Sequence, residues 1–260
     1  MIKLSLVQYL GGIYNMSGHS KWANIKHKKG RTDAARGKIT TKISREITIA
    51  VKMGGPDPVG NMKLKLALSK AKANNVPKDN IQRAISKGSG VQDGSNYEEI
   101  TYEGYGAGGV AVMVSALTDN RNRTAADVRH LFSKHGGNLG ETGCVNYMFK
   151  RKGVLVVENN ENKYDEEEIL MIVLEAGAED LKVDGDVFEI IVEPNEFEAV
   201  EKALTDNGIE IAMSEITQIP DNTIEVSAED VHKIQNLVES LEDLDDVEDV
   251  YTSADLPDED

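Results

Sequence analysis

The sequence predicts an α+β protein: a basic helical N-terminal domain, then two ferredoxin-like (split βαβ) α/β domains, one inserted in the other. Three observations lead there. Charge is divided sharply along the chain: residues 16–90 carry 17 Lys+Arg and 4 Asp+Glu, a net of +13, while residues 91–260 carry 11 and 41, a net of −30. Apolar spacing follows the helical period up to about residue 88 and the strand period beyond about residue 98. Residues 153–218 then run β-α-β-β-α-β, the ferredoxin-like order.

The first helix is expected from about Asp33 to Met53, with Asp33 placed to cap it and Gly54-Gly55 to stop it. At 100° per residue, Ile39, Ile43, Ile47, Ala50 and Val51 share one sector, which should face a core. Lys38, Lys42, Arg45 and Lys52 fall opposite, and Glu46 is the only acid on the helix after Asp33. Such a stripe is either a solvated lysine face or a phosphate-contacting surface. Gly54 to Pro58 reads as a loop. A second helix follows to Ala73 with Leu64, Ala67, Leu68 and Ala71 inward, and a third from Pro77 to Gly88 with Ile81, Ala84 and Ile85 inward. A linker falls near Ser89–Gly94.

Strands are expected at Glu99–Glu103 and Val110–Thr118, a helix from Thr124 to about His135, and a strand at Val145–Phe149. In the ferredoxin-like unit, Val154–Glu158, Asp180–Val183, Val187–Val192 and Ile209–Ile219 are the strands; Asp165–Ala176 and Glu196–Asn207 are the helices. A short strand (Thr223–Val226), a helix with Val231, Ile234, Leu237, Val238 and Leu241 inward, and a strand (Val247–Tyr251) close the chain. These last elements are too few to stand alone, so they should fold back onto residues 95–150. A contact between Val247–Tyr251 and residues 109–117 separates that arrangement from a consecutive string of domains. The expected organisation is therefore a non-native extension at 1–15, a basic helical domain at 16–94, a middle domain from 95–150 and 221–255, an inserted domain at 151–220 and an acidic tail at 256–260.

No enzyme chemistry is indicated. Gly104–Gly109 joins two strands, and Gly136–Gly143 follows a helix and leads to a strand, so both fail the context of a phosphate loop. The five histidines form no ligand pattern and Cys144 is the single cysteine, so no metal or cofactor site is expected. No apolar run reaches the ~20 residues of a membrane helix, and one cysteine fits a reducing cytoplasm. Asp119-Asn120-Arg121-Asn122-Arg123-Thr124 lies between a strand and a helix start. There Arg121, Asn122, Arg123 and Thr124 either hold an anion or form a cap with a local Asp–Arg pair. The lone Trp22 either stacks on a base or anchors the arm to the helical domain.

Met16-Ser17-Gly18-His19-Ser20-Lys21-Trp22-Ala23-Asn24-Ile25-Lys26-His27 resembles the start of the YebC/PmpR family. So do Ala35-Arg36-Gly37-Lys38, Tyr102-Glu103-Gly104-Tyr105-Gly106, the Asp119–Thr124 run and Gly136-Gly137-Asn138-Leu139-Gly140, and the likeness extends to about Tyr251. Residues 1–15 depart from the pattern, which points to Met16 as the natural start. The resemblance implies a three-domain α+β fold, with a helical N-terminal domain and two α/β domains, the last inserted in the middle one, and a probable DNA-binding transcriptional regulator. It also carries an alternative: mitochondrial relatives are translational activators, and bacterial relatives are implicated in helping ribosomes through proline runs. The expected partner is thus DNA, or ribosomal RNA on the ribosome. The candidate contacts are Lys21, Trp22, Lys26, His27, Lys28, Lys29, Arg31, Arg36, Lys38, Lys42, Arg45 and Lys52.

Overall fold

The computed structural model describes residues 33–90 and 97–256. The extension at 1–15, the arm at 17–32 and most of the linker and tail lie outside them. Helix α1 (Asp33–Gly54), α2 (Met62–Ala73) and α3 (Lys78–Ser89) enclose one apolar core. Ile43, Ile47, Ala50 and Val51 of α1 meet Leu64, Ala67, Ala71 and Ala84 there, as the helical spacing requires. Asn61 ties the first two helices. Its Oδ1 accepts the Leu64 N–H at 3.1 Å, and its Nδ2 donates to the carbonyls of Ala50 and Gly55 at 2.7 and 2.9 Å. Gly88 lets α3 approach α1: a Cβ there would lie 2.5 Å from the Thr48 carbonyl oxygen.

The middle unit comprises β1 (Glu98–Tyr105), β2 (Ala111–Thr118), α4 (Arg121–Lys134) and a short β3 (Asn138–Leu139). The inserted unit comprises β4 (Phe149–Glu158), α5 (Glu166–Glu175), β5 (Ala178–Asp184), β6 (Val187–Val192), α6 (Phe197–Asp206) and β7 (Met213–Pro220). The chain closes with β8 (Ile224–Glu225), α7 (Ala228–Glu242), β9 (Val247–Thr252) and β10 (Ala254–Asp255).

Two four-stranded antiparallel sheets result, ordered β3-β1-β2-β9 and β5-β6-β4-β7, with β8 and β10 forming a small parallel pair. Strand β9 lies beside β2, Val112 opposite Thr252 and Val114 opposite Val250. The return of the C-terminus is therefore made through a backbone ladder. The two sheets share one spatial plan. In each, a strand–helix–strand unit is split by a third strand between its ends: β6 divides β4 and β5, and β1 divides β2 and β3. The difference is chain order, because the dividing strand precedes its unit in the first sheet and follows it in the second. Helices α4 and α7 pack Val128, Phe132, Ile234 and Leu237 onto Val112, Val114 and Ala116. Helices α5 and α6 do the same with Ile169, Val173, Val200 and Leu204 on Leu155, Val157 and Ile190.

Several boundaries differ from expectation, β4 for example starting at Phe149 and not Val154, and three have a visible cause. Helix α4 begins at Arg121, three residues early, because Asn120 Oδ1 caps the Arg123 N–H at 3.1 Å. Val145–Phe149 is not a strand: Asn146–Met148 is a 3₁₀ turn. The buried Glu103 carboxylate accepts the N–H groups of Gly143, Val145 and Asn146 at 2.7–2.8 Å, which turns the chain before β4 starts. Strand β7 begins at Met213, not Ile209, since Ile209 closes the end of α6 through its N–H to the Leu204 carbonyl.

Candidate nucleic-acid interface

One flank of α1 faces the acidic body, and this corrects the expectation that its cations form an open face. Lys38 Nζ lies 3.3 Å from Asp243 Oδ1. Lys42 Nζ donates to the carbonyls of Glu242 and Val247 at 2.5 and 2.7 Å. Burial draws the Lys42 pKa below its usual value, an effect that Glu248, Glu242 and Asp245 oppose. Arg45 donates to the Asp245 carbonyl at 2.9 Å and stands 3.5 Å from Asp246 Oδ1. The cause is the segment from the end of α7 to β9, which offers the main-chain carbonyls of Glu242, Asp245 and Val247 and a run of carboxylates. Helix α2 docks in the same manner: Lys63 reaches Glu99 at 2.7 Å, Lys65 reaches Glu198 at 2.5 Å, and Lys70 reaches Asp249 at 3.1 Å and Glu46 at 3.5 Å. Burial alone would lower the Lys70 pKa, but Asp249 and Glu46 hold it well above its usual value.

The other flank of α1 faces α3 across a groove of about 460 Å³. Arg45 and Lys52 of α1, with Arg83 and Lys87 of α3, supply its cations. Thr41, Ser44 and Thr48 line the α1 side, one helical face at i, i+3 and i+7. Tyr97 stands where the groove adjoins a second cleft of about 540 Å³, in which Lys38, Arg45 and Arg123 face Asp119, Asp127, Asp243, Asp245 and Asp246. The Arg45 guanidinium sits 5.7 Å from the Tyr97 ring centroid.

The Arg121–Thr124 loop does hold an anion, but that anion is the chain's own carboxylate. Asp246 Oδ2 receives Arg123 Nη2 at 2.6 Å, Thr124 Oγ1 at 2.8 Å and Thr118 Oγ1 at 3.1 Å. Arg123 also pairs with Asp119 at 3.0 Å. Burial works against ionisation of Asp246, and these donors outweigh it, holding the carboxyl below its ordinary range. Of the two alternatives, capping with the local Asp–Arg pair is the one that accounts for Arg123 and Thr124. Arg121 and Asn122 are exposed in the first turn of α4.

Of the remaining candidates, Lys21, Trp22, Lys26, His27, Lys28, Lys29 and Arg31 lie outside the described residues, as does the side chain of Arg36. Lys52 is exposed on the groove rim. Sequence reasoning missed Arg83, Lys87, Tyr97 and the hydroxyl face. The i, i+4 spacing of Arg83 and Lys87 was available as a signal; the apposition of α3 with α1 was not. Among the described residues no cluster of three or more His, Cys, Asp or Glu could hold a metal ion. Among them, too, no helix is long and apolar enough to cross a membrane.

Residues 20–91 match the TACO1/YebC protein N-terminal domain, and residues 97–254 match the TACO1/YebC second and third domain. The chain belongs to the TACO1/YebC family. It is 57% identical to a probable transcriptional regulatory protein of Clostridium tetani, over 94% of this chain and 99% of that protein. It is 53% identical to one of Desulforamulus reducens, over 92% and 98%. A crystal structure of a conserved hypothetical protein from Aquifex aeolicus superposes with a TM-score of 0.80 at 46% identity, covering 92% of this chain and 98% of that one.

Proposed function

We propose that this protein is a cytoplasmic, non-enzymatic regulator that binds nucleic acid through its helical domain, acting on DNA as a transcriptional regulator. The names of its relatives support a regulatory role. One observation carries the nucleic-acid reading: Lys52, Arg83 and Lys87 converge on one groove of the basic domain, while Lys38, Lys42 and Arg45 are held by the acidic body. Lys21, Lys26, Lys28, Lys29, Arg31 and Arg36 would extend the same phosphate contacts along the arm. Each phosphate neutralised on a duplex adds ~0.9 to the magnitude of the salt slope.

The test is nucleic-acid binding by the full chain carrying Arg83→Glu and Lys87→Glu. We expect affinity to fall at least tenfold, and the salt slope to shrink by roughly 2. Unchanged affinity and slope would overturn the reading. A second reading, a ribosome-associated translation factor that contacts ribosomal RNA and relieves stalling, fits the same gathering of cations. Crosslinking in cells, with DNA and RNA recovered separately, decides between the two.

A further inference from the structure

The α1/α3 groove is chemically uneven. Arg83 and Lys87 put positive charge on the α3 side. On the α1 side the hydroxyls have spent their protons inward. Thr41 donates to the Gly37 carbonyl at 3.1 Å, Ser44 to that of Thr40 at 2.7 Å, and Thr48 to that of Ser44 at 2.8 Å. What Thr41 and Ser44 offer the groove is therefore oxygen lone pairs. Lone pairs suit the N–H groups of a base or a sugar hydroxyl, and do nothing for an ionised phosphate oxygen. Tyr97 adds a partly exposed aromatic ring with a guanidinium beside it.

The shape adds a constraint. Duplex DNA is read by protein elements that protrude into its grooves. This site is a concavity, and its volume falls within the range of small-ligand pockets. Cations on both walls, hydroxyl acceptors between those of α1 and an aromatic ring at one end are features that hold an unpaired strand.

We propose that the α1/α3 groove binds single-stranded nucleic acid, with a base stacked on Tyr97, phosphates along Arg83 and Lys87, and base or sugar donors meeting Thr41 and Ser44. The inference rests on the nucleic-acid reading above and narrows it to unpaired strands.

The test uses the full chain and fluorescence anisotropy with labelled RNA and DNA strands of about 12 nucleotides, each also presented as its duplex. The strands should bind about tenfold more tightly than their duplexes, and either sugar satisfies the proposal. Tyr97→Leu should weaken strand binding about tenfold and leave duplex binding unchanged. Tyr97→Phe, which keeps the ring, should bind like the parent, and circular dichroism confirms that both variants fold. Duplexes bound as tightly as strands, or strand binding indifferent to Tyr97→Leu, would overturn this inference and leave the broader reading standing. No binding of any nucleic acid would remove both.

Discussion

Replacing Glu248 with Gln should stabilise the protein in alkaline solution and leave it unchanged in acid. Glu248 lies on β9 at the seam between the helical domain and the middle sheet, and its Oε1 is sealed from solvent with no hydrogen-bond partner. Burial is the main force that pushes its carboxyl up to about 8 from 4.5; Glu46 and Asp249 add to it, while Lys70 and Lys42 oppose it. Between those values the folded chain holds a proton that the unfolded chain has lost. Folding stability therefore falls as pH rises from about 4.5 to about 8, and is level beyond. At ~1.4 kcal/mol per pH unit the ceiling is about 5 kcal/mol. Glu248 keeps a partly exposed edge, so about 2 kcal/mol is the working figure. Gln reproduces the neutral carboxyl and cannot ionise. Urea unfolding of both proteins, followed by helical circular dichroism at pH 4, 7 and 9, measures the difference directly. The two curves should nearly coincide at pH 4 and separate by pH 9, with the variant the more stable. A gap that does not grow with pH, or a variant less stable at pH 9, would refute the reasoning.

Gly88→Ala should lower the thermal midpoint through a loss of ~1–3 kcal/mol, because its Cβ would press the Thr48 carbonyl at 2.5 Å and Val51 Cβ at 2.7 Å; an unmoved midpoint would count against the close α1–α3 contact. Glu103→Gln should cost ~2 kcal/mol, because the amide oxygen can keep at most two of the three N–H donors, in weaker bonds, and its NH2 faces the third. Burial opposes ionisation of Glu103, but those donors keep its carboxyl below the usual range, so its contribution is lost as pH falls. The variant's deficit should accordingly narrow in acid, as denaturant titrations at two pH values will show. Asp246→Ala should cost ~2–3 kcal/mol by leaving Arg123, Thr118 and Thr124 without their shared acceptor; a deficit below 1 kcal/mol in urea unfolding would show that the cluster contributes little.

Much of the fold was legible because helical and strand periods leave a direct trace in sequence. Ile43, Ile47, Ala50 and Val51 are buried where the 100° projection puts them. The pairing of Val247–Thr252 with β2 followed from the simple fact that one helix and two short strands cannot bury a core alone. The turn at Asn146–Met148 was not legible, since it depends on Glu103, a residue 40 positions away whose charge suggested the surface. The site was half legible for a related reason. Lys38, Lys42 and Arg45 share a stripe in sequence, but whether a stripe meets solvent or carboxylates is a property of docking. The divided charge that suggested a phosphate-binding face equally describes a basic domain seated on an acidic one. Arg83 and Lys87 belong to the groove only because Gly88 lets α3 approach α1.

Lysine acetylation footprinting, with and without saturating nucleic acid, probes the two flanks of α1 at once. The account predicts protection of Lys52 and Lys87 beside the groove, and unchanged labelling of Lys38 and Lys63, which face Asp243 and Glu99. Protection of Lys38 and Lys63, with Lys87 labelled as before, would contradict it.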